Sequence, residues 1–555
     1  MFTQCVAVVS SDTTVGITTN GVMNMIRRIP IRSGDAIACK LASALSIEND
    51  EAAIESSTLD LCREFAFSAE NAEDFGLWYL RSECFSKFQT SSQSDDRKRV
   101  AIDKFYKAEM LADDANHRLV DPWTRPALTQ RVWRRARAIV HDILGPFPWE
   151  SFPWHCGFGP GASGSLRRAD ASHQKKWVAS THITEKAIPY YAAFKAWSTL
   201  DLPQKLVVVE ANRVTTVPKS YKTDRVIAIE PDWNMFFQLG VGGLIRSRLQ
   251  RRGILLREAQ EINRALAKLG SWTNSLATLD MSMASDTVSL ALCEALLPED
   301  WLKVLLDLRS PTGVVPDGNV VRYSKISSMG NGSTFELETL LFYALTLAVC
   351  GNGNRARVSV YGDDIICPSE HADAVTDVLK QAGFTPNLTK SFSDGPFRES
   401  CGGHYWRGVD VTPFYLRQPP SCQNDLVVLG NSIITWLAAR ESRDLGMFRD
   451  VYQYVRRLVP RSLRGPYRLD GVLWDEWDRC CPKWNARYQA YSQMVVSREL
   501  RYSDVSESSG SYFFKLWVQN TEAETSRLAR SLTREVFQTR SVCRDQWEQL
   551  PVRIA

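Results

Sequence analysis

Two adjacent aspartates, Asp363 and Asp364, belong to the segment that most restricts how this 555-residue chain can fold. Before them, residues 357–360 alternate polar side chains with valine; Gly362 and Asp363 are typical of a tight turn, and an apolar run resumes at Ile365. This pattern predicts a β-hairpin with the acids at its tip. Like charges at a hairpin tip repel each other, so a cation bound between them would be favourable. For an Asp-Asp pair taken alone, a solvated turn is the alternative.

The segments around the hairpin alternate between strand and helix patterns, which is typical of an α+β layer structure. Ser275 to Met281 predicts a buried strand that includes Asp280 near its end. If the hairpin pairs with this strand, Asp280 and Asp363 meet at one edge of the sheet. Oxygen ligands grouped in this way favour Mg²⁺ and phosphoryl transfer. The other elements are predicted over 287–297 (helix), 334–349 (helix), 372–382 (helix) and 384–388 (strand).

The cysteines and the apolar stretches limit the surroundings in which the protein works. The 13 cysteines are scattered and form no C-x-x-C pair, so neither a disulfide framework nor a four-cysteine zinc site is predicted, and a reducing compartment is favoured. The apolar run Cys5–Val9 does not resemble a secretory signal, and Leu340–Cys350 falls short of the roughly 20 residues of a spanning helix. We expect a soluble, intracellular protein.

Positive charge is clustered, although the net charge of the chain is only +4. A single basic run is usually a solvated helix face, but three clusters favour a channel for a polyanion. The three clusters are Arg131, Arg134, Arg135 and Arg137; Arg246, Arg248, Arg251, Arg252 and Arg257; and Arg456, Arg457, Arg461, Arg464 and Arg468.

Four segments rich in polar residues or glycine are predicted to be loops or turns. Gly157–Gly164 lacks the Gly-Lys-Ser/Thr ending of a phosphate-binding loop, so we expect turns there. Gln89–Arg99 predicts a solvated loop, and Tyr502–Ser511 predicts a loop within a helical C-terminal region. Cys401–His404 has no second pair of ligands at zinc-site spacing, so it is interpreted as a turn between strands.

Tyr361-Gly362-Asp363-Asp364 on a predicted hairpin resembles the signature loop of RNA-dependent RNA polymerases. In detail, the chain resembles the replicase subunit of single-stranded RNA bacteriophages, the leviviruses. Close resemblance covers about residues 210–416. The other segments that resemble this family are Asp280-Met-Ser-Met-Ala-Ser-Asp286 (motif A), Ser327-Ser-Met-Gly-Asn-Gly-Ser-Thr-Phe-Glu-Leu-Glu338 (motif B), Val217-Pro-Lys-Ser-Tyr-Lys-Thr-Asp-Arg225 (motif F), Ile229-Glu-Pro-Asp-Trp-Asn-Met235, Pro386-Asn-Leu-Thr-Lys390 and Phe397-Arg-Glu-Ser-Cys-Gly-Gly-His404.

The resemblance implies catalytic and metal-binding roles for Asp280, Asp363 and Asp364, with two Mg²⁺ ions for which Mn²⁺ can substitute. It also implies that Lys390 protonates the leaving pyrophosphate, which is a general-acid role. A lysine at the end of a surface strand is the plain alternative.

Six further residues are implied to bind the nucleotide or the base pair that it forms. Lys219, Lys222 and Arg225 match the basic motif that holds the incoming triphosphate, and such a cationic clamp suits a migrating phosphoryl charge. The implied support for the template and nascent pair is Gly330, Asn331 and Thr334. An exposed basic loop and a helix-entry turn are the respective alternatives.

Motif A departs from the wider polymerase pattern at the position that reads the sugar. Many relatives have Asp five residues after the first acid, where this chain has Ser285 followed by Asp286. Many relatives also have Asn where this chain has Glu338. Both Ser285 and Asp286 are therefore candidates for nucleotide binding. Reverse transcriptases typically use a bulky aromatic residue there, so the small Ser285 favours a ribonucleotide pocket.

The resemblance implies a right-hand polymerase of the α+β class. It would have fingers, a palm built on an antiparallel sheet with helices on one face, and a mostly helical thumb. The implied divisions are 1–204 (N-terminal region and fingers), 205–265 (fingers with the triphosphate-binding motif), 266–412 (catalytic palm) and 413–555 (thumb and C-terminal region).

The implied activity is template-directed RNA synthesis from ribonucleoside triphosphates on an RNA template, without a primer, for replication of a phage genome. Replicases of this kind work with the host translation elongation factors Tu and Ts. These are the implied partners, together with the RNA template and product, in the cytoplasm of the bacterial host and without a membrane. A reverse transcriptase and a non-enzymatic RNA-binding protein are the alternatives; the second would leave Asp280, Asp363 and Asp364 without a reason to be acidic.

Overall fold

The fold is described from a computed structural model. The described residues are 31–45, 71–88, 94–119, 127–168, 171, 176–177, 182–198, 206–440, 445–476, 479–480, 483–486, 490–502 and 533–544. Within these ranges no helix combines the length and the apolar character needed to cross a membrane. The apolar run at residues 5–9 lies outside the described residues, as do 89–93 and 503–511 of the predicted loops.

Helices and strands alternate through the middle of the chain, which confirms the predicted α+β class. The helices are α1 (Ile31–Ala44), α2 (Ala72–Glu83), α3 (Ser94–Leu119), α4 (Ala127–Leu144), α5 (Phe152–His155), α6 (Ile188–Trp197), α7 (Asp232–Arg251), α8 (Ala259–Thr273), α9 (Leu290–Leu296), α10 (Glu299–Leu308), α11 (Thr334–Cys350), α12 (Ala372–Gln381), α13 (Gln423–Ala438) and α14 (Arg449–Leu458). The strands are β1 (His182–Ile183), β2 (Val207–Val208), β3 (Ala211–Pro218), β4 (Asp224–Ile229), β5 (Leu276–Leu279), β6 (Met281–Ser282), β7 (Thr312–Val314), β8 (Val320–Arg322), β9 (Ser359–Tyr361), β10 (Asp364–Pro368), β11 (Thr385–Pro386), β12 (Phe397–Ser400), β13 (Gly403–Trp406), β14 (Val409–Asp410), β15 (Arg464–Gly465), β16 (Leu473–Trp474), β17 (Lys483–Asn485), β18 (Ala490–Tyr502) and β19 (Thr533–Arg544).

The central sheet is antiparallel and has the strand order β5-β10-β9. β9 and β10 form the predicted hairpin, with Gly362 and Asp363 in its turn. β5 pairs with β10 so that Leu279 lies opposite Ile365. Because β5 ends at Leu279, Asp280 follows at the edge of the sheet where the hairpin turns. The register therefore brings the predicted acids to the same edge.

Helices cover both faces of this sheet, so the prediction of helices on one face is wrong. Ile365 lies in the core cluster that includes α11, whereas Ile366 packs with Ala267 of α8. Ser359 Oγ of β9 also donates to Asn263 Oδ1 of α8 at 2.5 Å. The reason can be seen in β10, where successive residues are apolar; a strand of that kind is buried on both sides.

α11 is buried on nearly every side and packs against α4, α7 and α12. It confirms the helix predicted over 334–349, and its apolar character all round requires protein on every side. The helix predicted over 287–297 is shorter and begins at Leu290, because Ser289 Oγ accepts from Leu292 N at 3.2 Å and caps it. α12 confirms the helix predicted over 372–382, while the strand predicted over 384–388 is shorter and comprises only β11.

The solvated loop predicted over Gln89–Arg99 is wrong for its second half, because α3 begins at Ser94. Arg97 is buried in this helix, and its Nε lies 3.3 Å from Oδ1 of Asp224 in β4. The charges of this segment therefore include a buried ion pair between two elements as well as a solvated helix face. The hydrophilic composition alone could not distinguish the two.

A second sheet has the strand order β4-β3-β7-β8, and its β3–β4 hairpin carries the basic segment predicted to bind triphosphate. The residues 219–223 form the connection between these strands. Gly157–Gly164 forms bends rather than helix or strand, as predicted. Lys176 Nζ donates to the carbonyl oxygens of Gly159 and Gly161, each at 2.5 Å, and so fixes this segment.

The N-terminal helices α1 and α2 pack in one core cluster with α13 and α14. α2 also contributes Phe75 and Tyr79 to a cluster with Phe397 of β12 and Trp406 of β13. The predicted domain boundaries at 204, 265 and 412 stay predictions. This packing nevertheless brings α2 of the N-terminal segment next to β12 and β13, which lie much later in the chain.

The C-terminal region is helical over α13 and α14 but continues as the antiparallel sheet β17-β18-β19. β18 and β19 flank residues 503–511, so the prediction of helical surroundings for that loop is wrong, and a mostly helical thumb holds only up to Leu458. Within β18, Gln493 and Val495 are buried while Met494 and Val496 are less so. This alternation of burial with a period of two is typical of a strand, and the polar composition of the segment obscured it.

Candidate active site

Asp280, Asp363 and Asp364 lie together at the edge of the central sheet. Asp363 is exposed in the hairpin turn, while Asp364 begins β10. The charges of both affect Asp280, so the three carboxylates are within electrostatic range. Gly362 makes the turn possible: its φ is +61°, and a Cβ there would lie 2.8 Å from the ring of Phe335.

Asp280 is the most strongly perturbed of the three acids. Burial raises its pKa to about 7, and the negative charges of Asp363 and Asp364 contribute to the rise. The charge of Lys390 and a 2.6 Å hydrogen bond from Asn387 Nδ2 to Asp280 Oδ2 act in the opposite direction. The additional positive charge of a divalent cation would stabilise the ionised form of this carboxyl group.

Asp364 is fixed by the turn between β12 and β13. Its Oδ1 accepts hydrogen bonds from Ser400 Oγ at 3.2 Å and from Cys401 N at 3.1 Å. Burial raises the pKa of Asp364, and the Cys401 N–H opposes this rise. The turn predicted over Cys401–His404 is confirmed for Cys401 and Gly402, which connect two paired strands, whereas Gly403 and His404 already belong to β13. Its backbone therefore has a function at the site: it orients one of the acids.

The three acids suit a divalent cation by the chemistry of their donors. In the described part of the chain, no group of three or more His, Cys, Asp or Glu side chains is arranged so that it could hold a metal ion. Mg²⁺ does not require such a cage, because it keeps several waters and is shared with substrate phosphates. Asp280, with its raised pKa, and the exposed Asp363 supply oxygen ligands of the kind that this ion uses.

Lys390 lies beside these acids and is paired with a second carboxylate. Its Nζ is 3.6 Å from Oε1 of Glu399 in β12. The charge of Glu399 raises the pKa of Lys390 to about 12; burial opposes the rise, and Asp280 and Asp364 contribute to it. Lys390 is therefore an ammonium group in this arrangement, on the same side of the molecule as the predicted catalytic acids.

The structure brings Lys219, one of the three predicted triphosphate ligands, towards the acids. Desolvation lowers the pKa of Lys219 and the charges of Arg225 and Lys390 lower it further, while Asp363 and Asp280 oppose the change. Lys219 therefore lies within electrostatic range of the acidic edge.

Lys222 is placed differently from Lys219. Its Nζ lies 5.2 Å from the ring centre of Tyr221, and its charge contributes, after desolvation, to lowering the pKa of Lys104 in α3. The structure therefore associates Lys222 with α3 rather than with the three acids.

Ser285 and Glu338 form a pair between motif A and α11. Ser285 Oγ donates to Glu338 Oε2 at 2.8 Å. Burial raises the pKa of Glu338 to about 8, and the charges of Asp363, Asp286 and Asp280 add to the rise against the Ser285 hydrogen bond. At neutral pH Glu338 is thus largely an uncharged carboxylic acid. Its Oε1 is buried and makes no hydrogen bond within the described residues.

Asp286 is engaged in a buried ion cluster instead. Its Oδ1 lies 2.9 Å from Nζ of Lys325, and Lys325 Nζ lies 2.7 Å from Oε1 of Glu109 in α3. Lys325 has a fully buried side chain, and its ammonium also lies 4.2 Å from the ring centre of Phe105. The structure therefore gives Asp286 a definite role in joining motif A to α3. Its predicted role in nucleotide binding stays a prediction.

The predicted template-supporting loop precedes α11 in the chain and packs closely between β4 and α7. Gly330 has a φ of +114°, and a Cβ there would lie 2.2 Å from the carbonyl oxygen of Ala228. Asn331 Oδ1 accepts from Ser333 N and Oγ, both at 2.9 Å, and Thr334 Oγ1 donates to the carbonyl of Ser328 at 3.2 Å. The loop is thereby held in one conformation before α11 begins.

Two of the arginine clusters lie largely on neighbouring helices, α4 and α7. Arg134 and Arg137 of α4 line an open depression of about 470 Å³ together with Ala138 and His141. The end of α7 lies beside α4, because Arg252 Nη2 pairs with Oδ1 of Asp142 at 2.6 Å.

Several members of the clusters serve internal contacts. Arg246 Nη2 pairs with Glu336 at 2.5 Å. In the third cluster, Arg456 and Arg464 each approach the buried Asp475, at 3.8 and 3.7 Å. The prediction of RNA contacts therefore rests on the arginines that remain exposed, such as Arg131, Arg134, Arg137 and Arg251.

Sequence reasoning missed residues that orient the site from behind. Asn387 holds Asp280, Ser400 holds Asp364, and Glu399 holds Lys390. Each lies inside a segment whose resemblance was recognised, so the polar residues of these segments were the available signal. Lys325 offered no such signal, since it is a lone lysine in a short loop and its burial depends on α3.

Comparison with known proteins extends the likeness well beyond residues 210–416. Residues 31–546 match the family described as RNA replicase, beta-chain. The RNA-directed RNA polymerase subunit beta of Qbeta virus (strain MX1) is 39% identical over 507 residues, which cover 88% of this chain and 84% of that protein. The subunit of the same name from Escherichia virus Qbeta is 44% identical over 406 residues (72% and 68%), and that of Enterobacteria phage SP is 40% identical over 459 residues (81% and 79%).

Proposed function

The chain belongs to the RNA replicase beta-chain family of RNA phages, and from that premise we propose how its residues perform the reaction. It is an RNA-directed RNA polymerase: it synthesises RNA on an RNA template. The proposal concerns the finer steps. A nucleoside triphosphate pairs with the template, the RNA 3′-hydroxyl attacks its α-phosphorus, and pyrophosphate leaves. The observation on which the proposal rests is the convergence of Asp280, Asp363 and Asp364 with Lys390 and Lys219 at one sheet edge.

Asp280, Asp363 and Asp364 are the residues that would hold divalent cations, two Mg²⁺ ions for which Mn²⁺ can substitute. Such ions, when bound, activate the attacking hydroxyl and stabilise charge on the leaving oxygen. The raised pKa of Asp280 supports this assignment, because a bound cation would stabilise the ionised carboxylate that burial and the neighbouring acids disfavour. Asp364 is held by Ser400 and Cys401 and so keeps its orientation while ions and substrates exchange.

Lys219, Lys222 and Arg225, which lie in the β3–β4 turn and at the start of β4, bind the triphosphate. Their charges stabilise the negative charge that moves to the pyrophosphate as the bond to the α-phosphorus breaks. Lys390 then donates its proton to the pyrophosphate oxygen that leaves. Its half-exposed side chain allows reprotonation from solvent.

Ser285 and the neutral Glu338 line the ribose side of the site, with Asp286 behind them. A small residue leaves room for the 2′-hydroxyl, and a protonated carboxyl can both donate and accept a hydrogen bond. Gly330, Asn331 and Thr334 support the template and nascent pair, where glycine permits close approach of the backbone. This pocket favours a ribonucleotide and weakens the case for a reverse transcriptase.

The same proposal includes the partners and the place of action. The related chains are named as beta subunits, which implies further subunits. We assign the host translation elongation factors Tu and Ts as those partners, synthesis without a primer, and the cytoplasm of the bacterial host as the location. Identification of the proteins that co-purify with the tagged full chain from its host tests the partner assignment.

The test of the catalytic proposal is Asp363→Asn, which removes one anionic ligand and keeps the size of the side chain. Nucleotide addition to a primed RNA template in Mg²⁺ should fall by orders of magnitude, while RNA binding persists because it depends on arginines. Asp373→Asn, an exposed acid in the first turn of α12, is the matched control and should keep full activity. Near-normal elongation by the Asp363 variant would refute the metal assignment.

A further inference from the structure

A chain of polar side chains lies behind Lys390 and ends in the hydrophobic packing of α2. Lys390 Nζ is 3.6 Å from Glu399 Oε1, and the same oxygen is 3.8 Å from Nε2 of His404. The other ring nitrogen of His404, Nδ1, lies 2.6 Å from the hydroxyl of Tyr79. Four side chains from three separate segments thus form one line of polar contacts directed at the catalytic acids.

The last two members of this line are fixed by burial. Tyr79 is 1% exposed and packs between Phe75 and Phe397, with ring centres 5.7 and 5.3 Å away. His404 is also buried, and its register partner across the β12–β13 pair is Glu399. The position of the Glu399 carboxylate is therefore determined by two strands and a buried ring, which leaves it little freedom to follow the lysine.

Charge in this line is arranged to keep Glu399 ionised. Burial alone would raise the pKa of Glu399, but the charges of His404, Lys390 and Lys87 outweigh it and hold the pKa below its usual value. Burial lowers the pKa of His404, and the charge of Glu399 opposes this change. A neutral His404 ring that accepts the Tyr79 hydroxyl at Nδ1 would carry its proton on Nε2, facing Glu399.

The ammonium of Lys390 is therefore positioned between two sources of negative charge. Glu399 lies on one side and the catalytic acids on the other. The charged or titratable groups that interact with Lys390 come from several neighbouring elements: Glu399 of β12, His404 of β13, Asp280 after β5, Asp364 of β10, Glu83 of α2, Lys87 after α2 and Lys219 of the β3–β4 turn. Of these groups, Glu399 has the largest effect, and it is not one of the predicted metal-binding acids.

We propose that Glu399 is a positioning residue for Lys390, with His404 and Tyr79 holding its carboxylate so that the ammonium is directed at the leaving pyrophosphate. This inference rests on the proposed function, in which Lys390 donates a proton. As the bond between the α-phosphorus and the bridging oxygen breaks, its electron pair stays on that oxygen, and the oxygen takes a proton from Lys390. The lysine becomes neutral and is reprotonated from water, and the proton of the 3′-hydroxyl is released to solvent.

The experiment measures single-nucleotide addition by the full chain, purified with its co-purifying host proteins, over a range of pH. Glu399→Gln keeps the shape but removes the charge, so Lys390 should lose its proton more easily and be held less well. We expect kcat at pH 7.5 to fall about tenfold with little change in the KM for nucleotide, a fraction of the 10²–10⁴ that a general acid contributes. The alkaline limb of the kcat profile should move to lower pH. Glu370→Gln, which removes an exposed carboxylate paired with Arg357 at 2.8 Å, is the matched control and should show neither effect.

A double-variant comparison separates positioning from a general loss of structure. If Glu399 acts through Lys390, Glu399→Gln should have no further effect on kcat in a Lys390→Ala background. Additive losses, or an unmoved alkaline limb in Glu399→Gln, would overturn the inference. If Glu399→Gln does not fold, Tyr79→Phe replaces it: this variant keeps the ring packing, and a smaller shift of the limb in the same direction is expected, whereas no shift overturns the inference.

The outcomes also distinguish this inference from the proposed function. If the unmodified chain makes no RNA, the function itself fails. If Lys390→Ala keeps a normal kcat and pH profile, the general-acid role fails and the inference fails with it. If Lys390→Ala is slow while Glu399→Gln behaves like the Glu370→Gln control, only the positioning role is overturned.

Discussion

Ser285 Oγ donates a hydrogen bond of 2.8 Å to Oε2 of Glu338, which joins motif A to the second turn of α11. Glu338 is buried close to three aspartates, and its burial raises its pKa to about 8. A charged residue in the sequence is therefore largely uncharged in the folded protein at neutral pH. This pair determines both the polarity of the proposed ribose pocket and a measurable part of the stability of the fold.

Glu338→Gln should stabilise the protein increasingly as the pH rises. The folded-state pKa of Glu338 is raised from 4.5 to about 8, so unfolding releases a proton between these values and the fold loses stability with rising pH. The amide removes this dependence. The advantage of the variant should be absent below pH 4.5, grow by about 1.4 kcal/mol per pH unit at most, and level off above pH 8.

Thermal melting in the presence of a chelator measures this difference, because bound cations would neutralise the neighbouring acids. Glu294→Gln, on the exposed part of α9, is the control and should show no such trend. A constant difference between Glu338→Gln and the unmodified chain from pH 5 to pH 8 would contradict the assignment of a neutral Glu338.

On an RNA template, ribonucleotides should be incorporated far better than deoxyribonucleotides, since Ser285 leaves room for the 2′-hydroxyl. Asp286→Ala should narrow that preference. The reason is the ion pair between Asp286 and the buried Lys325, which connects motif A to α3. Without the Asp286 carboxylate, we expect motif A to shift relative to α3. Competition between the two nucleotide types during elongation provides the measurement.

The same Asp286→Ala variant should melt at a lower temperature, because removal of one partner from a buried ion pair destabilises a protein by about 3–5 kcal/mol. Asp317→Ala, which removes an exposed acid in the β7–β8 turn, serves as the control for acid removal on the surface. Preference for deoxyribonucleotides by the unmodified chain would reject the polymerase assignment. An unchanged preference in Asp286→Ala would remove that residue from the nucleotide site.

Gly330→Ala should abolish nucleotide addition and lower the melting temperature. Its φ of +114° disfavours any side chain, and a Cβ would lie 2.2 Å from the Ala228 carbonyl oxygen. Gly318→Ala is a matched control: Gly318 has a φ of +90°, but no atom lies within 4 Å of its added Cβ. Backbone strain alone should make both variants equally unstable, whereas the proposed close approach makes Gly330→Ala much the worse.

The catalytic edge could be predicted from the sequence because its signals are local. The alternation before Tyr361, the turn at Gly362 and the acid at Asp280 lie in short segments, and strand pairing then follows from their order. The elements that support this edge could not be predicted in the same way. Arg97, Lys325 and Glu399 acquire partners 127, 39 or 9 positions away only when the chain folds.

The faces of the central sheet also show what the sequence could not predict. Residues 365–368 are consecutively apolar or proline, which indicates burial on both sides but not which helices lie there. α8 and α11 come from opposite sides of motif A in the sequence, and no local pattern in either of them specifies a particular face. In the C-terminal region, helices were predicted where the structure has strands, because charged residues in β18 obscured the alternation of buried and less buried residues.

The last prediction separates the triphosphate site from the RNA-binding surface. Arg225 lies on β4 and affects the pKa of Lys219, which in turn lies within range of the catalytic acids. Arg251 is exposed at the end of α7, next to Arg252, whose guanidinium is occupied by Asp142 at 2.6 Å. The two arginines are thus placed to meet different parts of the reaction: the incoming nucleotide and the RNA backbone.

Arg225→Ala should raise the apparent KM for nucleotides and lower kcat, because its contact strengthens as charge moves to the pyrophosphate. Arg251→Ala should mainly weaken RNA binding and reduce the slope of log affinity against log salt by roughly one unit. Arg252→Ala is the internal comparison: its charge is already paired, so it should change the slope less than Arg251→Ala does. Steady-state kinetics and salt-titrated binding decide the matter. Equal effects of Arg225→Ala and Arg251→Ala on nucleotide KM, or none from Arg225→Ala, would place the triphosphate elsewhere, since a cation that touches the migrating charge cannot be removed without slowing its transfer.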